Sequence, residues 1–308
     1  MTDKRLRVGL VLDPGGIGNP YNHGAYLGIE RAVRELGIKG RVLTPAPREG
    51  YAPSLSLLAR QKYDLVVGPG VMVVDALDAV ALKFPDQKFA VIHADHSALP
   101  HRPRNVQGIA FREEEAGFLA GQVAVLALDL GPGDRVVSAV GGEPVPGVQN
   151  YIAGYEAGAR TVDPNVTTIR GYTNDFFDGL KGRSVALGQI AQGSRVVFQV
   201  ASACGLGALE AAKEQGVWGI GVDVDQSHLG PHVLTSALIR MDVAVFDTIE
   251  RLVGGTLETG GTSMFSLRNG GVGLGSFSPE VPPSVVAEIE RVTDEIVAGT
   301  ISIPTPIT

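Results

Sequence analysis

Five apolar residues, Val8-Gly9-Leu10-Val11-Leu12, run directly into a polar, glycine-rich turn starting at Asp13, and from there into an amphipathic helix. A strand this short and this apolar suits a central parallel strand covered on both faces. The unit then recurs along the chain, which restricts the fold to alternating strands and helices. Ala25, Leu27, Ile29, Ala32, Val33 and Leu36 place the first helix over 24–36, with Gly37 as its stop. Residues 41–44, 63–67, 88–92 and 105–111 read as further strands, and 54–61 and 75–84 as helices. At Arg112 the rhythm restarts. Helices over 113–128, 148–162, 180–192 and 205–215 alternate with strands over 135–140, 166–172, 195–200 and 218–223. A strand over 233–239 leads back toward the first series, 242–254 adds a helix to it, and 283–298 is a final helix of the second.

Right-handed crossovers turn such a series into doubly wound parallel sheets. The expected fold is therefore α/β, in two lobes joined by a multi-strand hinge. One lobe is formed by 1–112 with 238–272, the other by 113–237 with 273–308. In sheets of this kind, ligands collect beyond the carboxyl ends of the strands. The unusual residues sit in those turns: 13–22, 68–70 and 93–96 in the first series, and 141–142, 202–207 and 223–226 in the second. If the two carboxyl edges face one another, these turns line one cleft for a small molecule.

Composition removes several classes of function. A net charge of −7 and a pI near 5.4, with no dense Lys/Arg run, leave no footprint for a phosphate backbone, so no nucleic-acid partner is expected. One cysteine, Cys204, permits no internal disulfide and no multi-cysteine metal site. No apolar stretch reaches the roughly 20 residues that span a bilayer. MTDKRLR leads into the first strand without a signal-peptide core, so the expectation is either a cytoplasmic protein starting at Met1 or one whose leader was removed.

Asp13, Tyr21 and Asn22 stand out in the first turn as a carboxylate, an aromatic face and an amide beyond a strand's carboxyl end. Asp13 and Asn22 could equally cap the helix while Tyr21 packs on the sheet. Asp223, also at a strand's end, can accept two hydrogen bonds from a cis-diol, or act as a capping carboxylate. Enzymatic readings lack partners. His93-Ala94-Asp95-His96 could donate to a metal, but adjacent turn residues rarely aim at one ion. Gly230 and Pro231 separate His228 from His232, and Gly16-Ile17-Gly18-Asn19-Pro20-Tyr21 lacks the third glycine of a dinucleotide loop. Metal-assisted nucleoside hydrolysis would need more carboxylates near the first strand than Asp13, and Cys204 has no evident base. No catalytic residue, metal or cofactor is expected.

Several motifs in order carry a resemblance. They are Tyr21-Asn22; Val66-Val67-Gly68-Pro69-Gly70; Asn105-Val106-Gln107-Gly108; Glu115-Ala116-Gly117-Phe118-Leu119-Ala120-Gly121; and Val140-Gly141-Gly142. Further on come Gly154-Tyr155-Glu156-Ala157-Gly158, Val197-Phe198-Gln199, Gly205-Leu206-Gly207, Ile220-Gly221-Val222-Asp223, Leu234-Thr235-Ser236 and Gly270-Gly271-Val272-Gly273-Leu274. Together they resemble the basic membrane protein family, the PnrA-like nucleoside-binding proteins that serve ABC transporters. The resemblance implies a type I periplasmic-binding-protein fold and a non-catalytic receptor for a nucleoside, a purine first. It also implies an ABC permease as partner and an extracytoplasmic place, held to the membrane by a lipid anchor if a leader was removed. Tyr21 then stands for the family's first aromatic, Phe176 or Phe177 for the second with Phe177 preferred, and Asp223 for the carboxylate that holds the ribose.

Three positions depart from the family pattern. Gly18-Asn19-Pro20 replaces an acidic residue, and His93 stands where a base-reading carboxylate is expected. Ile239 stands in place of a lysine, with Arg240 beside it as a substitute cation. A cytoplasmic ligand-sensing regulator of the same fold is the alternative. It would need a separate DNA-binding partner, since no helix-turn-helix precedes Val8.

Overall fold

The computed structural model describes residues 5–46, 50–131 and 133–304. The chain divides into two compact units, Met1–Phe111 with Arg240–Phe265, and Arg112–Ile239 with Ser266–Thr308, passing between them three times. The first unit opens with β1 (Arg7–Val11), α1 (Pro20–Leu36), β2 (Lys39–Leu43), α2 (Ala52–Arg60), β3 (Leu65–Pro69), α3 (Val74–Lys83), β4 (Phe89–Ile92) and β5 (Val106–Phe111). The second continues with α4 (Glu113–Ala127), β6 (Val136–Gly141), α5 (Pro146–Val162), β7 (Thr167–Tyr172), α6 (Gly179–Ile190), β8 (Val196–Val200), α7 (Ser202–Glu214), β9 (Trp218–Asp223) and β10 (Val233–Ile239). α8 (Met241–Val253) and β11 (Thr262–Phe265) return to the first unit, and β12 (Val272–Leu274) and α9 (Pro283–Ala298) complete the second.

Each unit is built on one six-stranded sheet, ordered β11-β5-β4-β3-β1-β2 in the first and β12-β10-β9-β8-β6-β7 in the second. All pairings are parallel except β10 with β12. The two orders match strand for strand, so β4 and β9 hold the same place in their sheets, as do β1 and β6. This is the type I periplasmic-binding-protein architecture, with helices covering apolar strands such as β3 and β8, which are buried along their whole length.

Local chemistry explains the boundaries. The Asn19 side chain accepts from the Tyr21 N–H at 2.9 Å and Pro20 fills the first helical position, so α1 begins four residues before the apolar periodicity does. Gly37, at φ 67°, ends it. β11 and β12 escape a hydropathy reading because they are edge strands of four and three residues.

Glycines bring three helix pairs into backbone contact. A Cβ on Gly117 or Gly121 of α4 would fall 2.2 Å from the Tyr151 carbonyl oxygen or 2.0 Å from that of Tyr155 on α5. Reciprocally, one on Gly154 or Gly158 would fall 2.2 Å from the Glu114 oxygen or 1.9 Å from that of Phe118. α6 and α7 interlock likewise, Gly182 against the Cys204 oxygen and Gly207 against that of Gly179, and in the first unit Gly28 of α1 sits on Val245 and the Asp242 carbonyl of α8. The glycine-spaced motifs that carry the family resemblance are thus, in large part, helix-packing devices.

Candidate functional site

Asp13 follows β1, and Gly15 and Gly16 turn the backbone with positive φ of 116° and 59°. The turn is pinned from within α1. The Asn22 side chain accepts from the Asp13 N–H at 3.2 Å and donates to the carbonyls of Asp13 at 3.2 Å and Gly16 at 2.9 Å. Asn22 is fully buried, and its amide is committed to shaping the loop that presents its neighbours. Removing it with Asn22→Ala takes the partner from the buried Asp13 N–H and one of two donors from each of the Asp13 and Gly16 carbonyls, and is expected to lower stability by about 2 kcal/mol, read as a lower urea midpoint with unchanged slope.

Asp13 is itself buried, and its Oδ1 accepts from the Tyr51 hydroxyl at 2.7 Å. Burial pushes its carboxyl up to about 6, against the lowering pull of the Tyr51 hydrogen bond. Tyr51, at the start of α2, has its own hydroxyl pushed far above the ordinary range by burial and by the Asp13 charge. Sequence reading does not single out Tyr51, because nothing local marks a partner 38 residues away.

The neighbouring strand ends bring three more groups to the same edge. After β3, Gly70 holds φ 89°, and a Cβ there would meet Asp13 Oδ2 at 3.4 Å and the Tyr21 hydroxyl at 3.5 Å, so it marks where Asp13 and Tyr21 converge. After β4, His93 holds φ 62°, a left-handed conformation that costs a non-glycine residue about 1 kcal/mol or more. Its Nδ1 lies 3.1 Å from the Tyr21 hydroxyl, with the two rings 5.8 Å apart and inclined by 28°. Phe111 at the end of β5 meets the His93 ring edge-on at 5.9 Å, and Phe265 of β11 packs on Phe111 at 5.6 Å. Asp13, Tyr21, Tyr51, Gly70, His93 and Phe111 thus occupy the carboxyl edge of the first sheet. The other members of the histidine cluster serve the loop, Asp95 accepting from the Ser97 N–H and the His96 ring meeting the Pro103 carbonyl at 3.0 Å. Among the described residues, no three His, Cys, Asp or Glu side chains gather as metal ligands would.

The second sheet presents its own carboxyl edge. Asp223 ends β9 at φ 66°, and His93 follows directly on β4 at φ 62°, so a strained polar residue stands at the carboxyl end of both of these strands, which correspond in the two strand orders. A buried polar network lies behind the Asp223 turn. Gln226 Oε1 accepts from the Gln199 amide at 2.8 Å and the Val222 N–H at 3.2 Å, while the Gln226 N–H donates to the Ser236 hydroxyl at 3.0 Å. Asp225 is taken up by structure, accepting from the Ser276 hydroxyl and N–H and from the Ser227 N–H.

The two phenylalanines separate. A Cβ on Gly142, just beyond β6, would fall 2.2 Å from the Phe176 ring, so that ring packs against the Gly142 main chain, and the Phe176 carbonyl accepts from the Ala203 and Cys204 N–H groups. Phe177 is 53% exposed. Just before them in the chain, Asp175 pairs with Lys181 of α6 at 2.6 Å, which holds its carboxyl down at about 2. Arg240 makes a two-pronged ion pair with Asp242 at 2.9 and 2.8 Å, within the first unit and apart from the Asp13–His93 group's own hydrogen bonds.

Comparison with known proteins agrees with this architecture. The model of a family described as ABC transporter substrate-binding protein, PnrA-like, matches residues 6–306. The chain is 37% identical over 284 residues to an uncharacterized lipoprotein of Pyrococcus horikoshii, covering 88% of this chain and 69% of that one. It is 31% identical over 289 residues to a basic membrane protein of Borrelia garinii, covering 92% and 84%. A solved ABC transporter solute-binding protein from Aeropyrum pernix superposes with a TM-score of 0.85 at 27% identity, over 98% of this chain and 94% of that chain.

Proposed function

The chain belongs to the PnrA-like family of ABC transporter substrate-binding proteins, and from that premise we propose that its solute is a nucleoside, a purine nucleoside first, bound without turnover and passed to an ABC permease. The observation that carries the reading is the group at the first sheet's carboxyl edge, where the half-buried Tyr21 ring stands beside His93 and the buried Asp13 carboxyl. A flat aromatic base offers a π face to a tyrosine and hydrogen-bonding edges to an imidazole and a carboxyl, and this group supplies all three. In the second unit, Phe176 and Phe177 supply aromatic surface, and Asp223, next in the chain to Val222, whose N–H donates to the buried Gln226 side chain, supplies a carboxylate suited to ribose hydroxyls.

Relatives named as lipoproteins support an extracytoplasmic, lipid-anchored place for this chain. No helix among the described residues is long and apolar enough to cross a membrane. Neutral ribonucleosides fit the acidic edges better than nucleotides, whose phosphates Asp13 and Asp223 would repel.

Titration calorimetry against adenosine, guanosine, inosine, uridine and cytidine, with free bases, ribose and adenosine monophosphate as controls, tests the proposal. The expected result is saturable binding of a purine nucleoside, weaker binding of the free base, and full recovery of intact nucleoside afterwards. Silence across all five nucleosides overturns the ligand assignment, and release of free base overturns the receptor assignment.

A further inference from the structure

Asp134 lies two residues before β6, Arg195 directly before β8, and Trp218 opens β9. These strands are neighbours and parallel, so the three residues share the amino edge of the second sheet, opposite the edge that carries Asp223. There they line a cavity of about 520 Å³, within the range of roughly 300–1,000 Å³ that holds small molecules. We propose that this cavity is a second small-molecule site, and that it takes an aromatic monocarboxylate. The inference is independent of the nucleoside reading, because it uses no residue of either carboxyl edge.

The cation of the site is built into place. Arg195 donates from Nη1 to the Leu128 carbonyl at 2.9 Å and from Nη2 to the Gly131 carbonyl at 2.8 Å. A Cβ on Gly133 would fall 2.9 Å from Arg195 Cδ, so the loop after α4 closes directly on the side chain and holds it still. Carbonyls orient a guanidinium without cancelling its charge, and no carboxylate among the described residues pairs with Arg195. Arg135, on the same loop, is by contrast neutralised by Asp129 and Asp163. A fixed guanidinium with N–H donors left over and no partner for its charge suits a planar carboxylate.

The rest of the lining suits a ring. Leu130, Ile190 and Val217 add apolar surface beside Trp218, which is half-buried and is the one tryptophan of the chain. The Trp218 indole N–H makes no hydrogen bond to any described residue, whereas the Ser194 hydroxyl in the same lining is spent on the Val196 carbonyl at 3.0 Å. Asp134 bounds the charge. Its carboxylate has no partner among the described residues, and Oδ2 stands 3.4 Å from where a Cβ on Gly193 would lie. With one unpaired cation and one carboxylate in the lining, the cavity matches a single negative charge and has no second cation for a phosphate dianion.

A single tryptophan makes the test direct, because ¹⁵N-labelled protein gives one indole N–H resonance and it reports this cavity alone. The full chain is titrated at pH 7.5 with 2-naphthoate, and with 2-naphthalenemethanol, 2-naphthylmethylamine and acetate as the neutral, cationic and ring-free controls. The expected result is a saturable shift of the indole resonance with 2-naphthoate, at an affinity at least about tenfold above that of each control. Arg195→Gln is expected to bring 2-naphthoate down to the affinity of the alcohol, and Trp218→Leu to weaken both ring compounds alike, with thermal melts confirming that each variant is folded. An indole resonance that 2-naphthoate leaves in place overturns the site. Equal affinity for the acid and the alcohol in the wild type overturns the role of Arg195 even if the Arg195→Gln protein fails to fold, and tighter binding of the amine overturns the assigned charge. Unchanged affinity for 2-naphthoate in Trp218→Leu places its binding elsewhere and overturns the proposal. None of these outcomes bears on nucleoside binding, which is measured separately.

Discussion

Gly158→Leu is expected to leave the second unit unfolded, and Gly158→Ala alone to cost about 3 kcal/mol. The reason is the material that the new carbon would strike. A Cβ at Gly158 falls 1.9 Å from the Phe118 carbonyl oxygen and 2.7 Å from its carbon, so the obstacle is main chain, with no side chain able to rotate away. Relief requires α4 and α5 to separate, and that separation would undo three equivalent contacts at Gly117, Gly121 and Gly154 together. Dense interiors respond to such displacement as a unit. Gly188→Ala on the exposed face of α6 is the control, because nothing lies within 4 Å of a Cβ there. It is expected to gain about 0.5–1 kcal/mol from helix propensity. Circular dichroism during thermal unfolding measures all three. A Gly158→Ala protein that melts with the wild type would show that the two helices are not held by this backbone contact.

These glycines also show what a sequence can convey about a fold of this kind. Apolar periodicity and turn residues locate β9, β10 and α9 to the residue, because each is bounded by its own local chemistry. Glycines at four-residue spacing in α4 and α5 are visible as a pattern, but their meaning depends on two helices that meet only in the folded chain. The polar residues were harder still. Asp13, Asp175, Asp223 and Asp225 all lie at or just beyond the carboxyl ends of strands and look alike in sequence. Folding gives Asp175 to Lys181, six residues on, and Asp225 to Ser276, fifty-one residues on, while it buries Asp13 beside Tyr51. Asn22 was legible as an amide in the right turn, yet its three hydrogen bonds to main chain depend on how that turn closes. Side-chain commitments of this sort are long-range, and composition and spacing carry no record of them.

Asp13→Asn is expected to stabilise the protein at neutral pH while weakening ligand binding. In the unfolded chain the carboxyl titrates near its ordinary value of 3.8, but in the folded protein it titrates near 6. Well below 3.8 it is protonated in both states and contributes no pH dependence. As pH rises from about 4 to about 6 the unfolded state gives up its proton first, so the folded state holds more protons and stability falls with pH. Above about 6 the folded state must keep a buried carboxylate, and the full penalty, about 3 kcal/mol, is in place. Asparagine retains an oxygen to accept from Tyr51 and has no charge to desolvate, so the gain of Asp13→Asn over wild type should be near zero at pH 4 and largest at pH 7.5. Tyr51→Phe should act in the opposite sense. With its stabilising donor gone, the carboxylate becomes more costly, and this variant should lose more stability at pH 7.5 than at pH 4. Thermal melts of the three proteins across that range measure the effect. A pH-independent difference between Asp13→Asn and wild type would mean that Asp13 ionises as easily folded as unfolded. A buried carboxyl that lowers stability at working pH persists when it performs a task that its amide cannot. If Asp13→Asn both raises the melting temperature at pH 7.5 and weakens nucleoside binding at least tenfold, that task is binding, and the stability forgone at this strand end is the cost of presenting a charge to the solute.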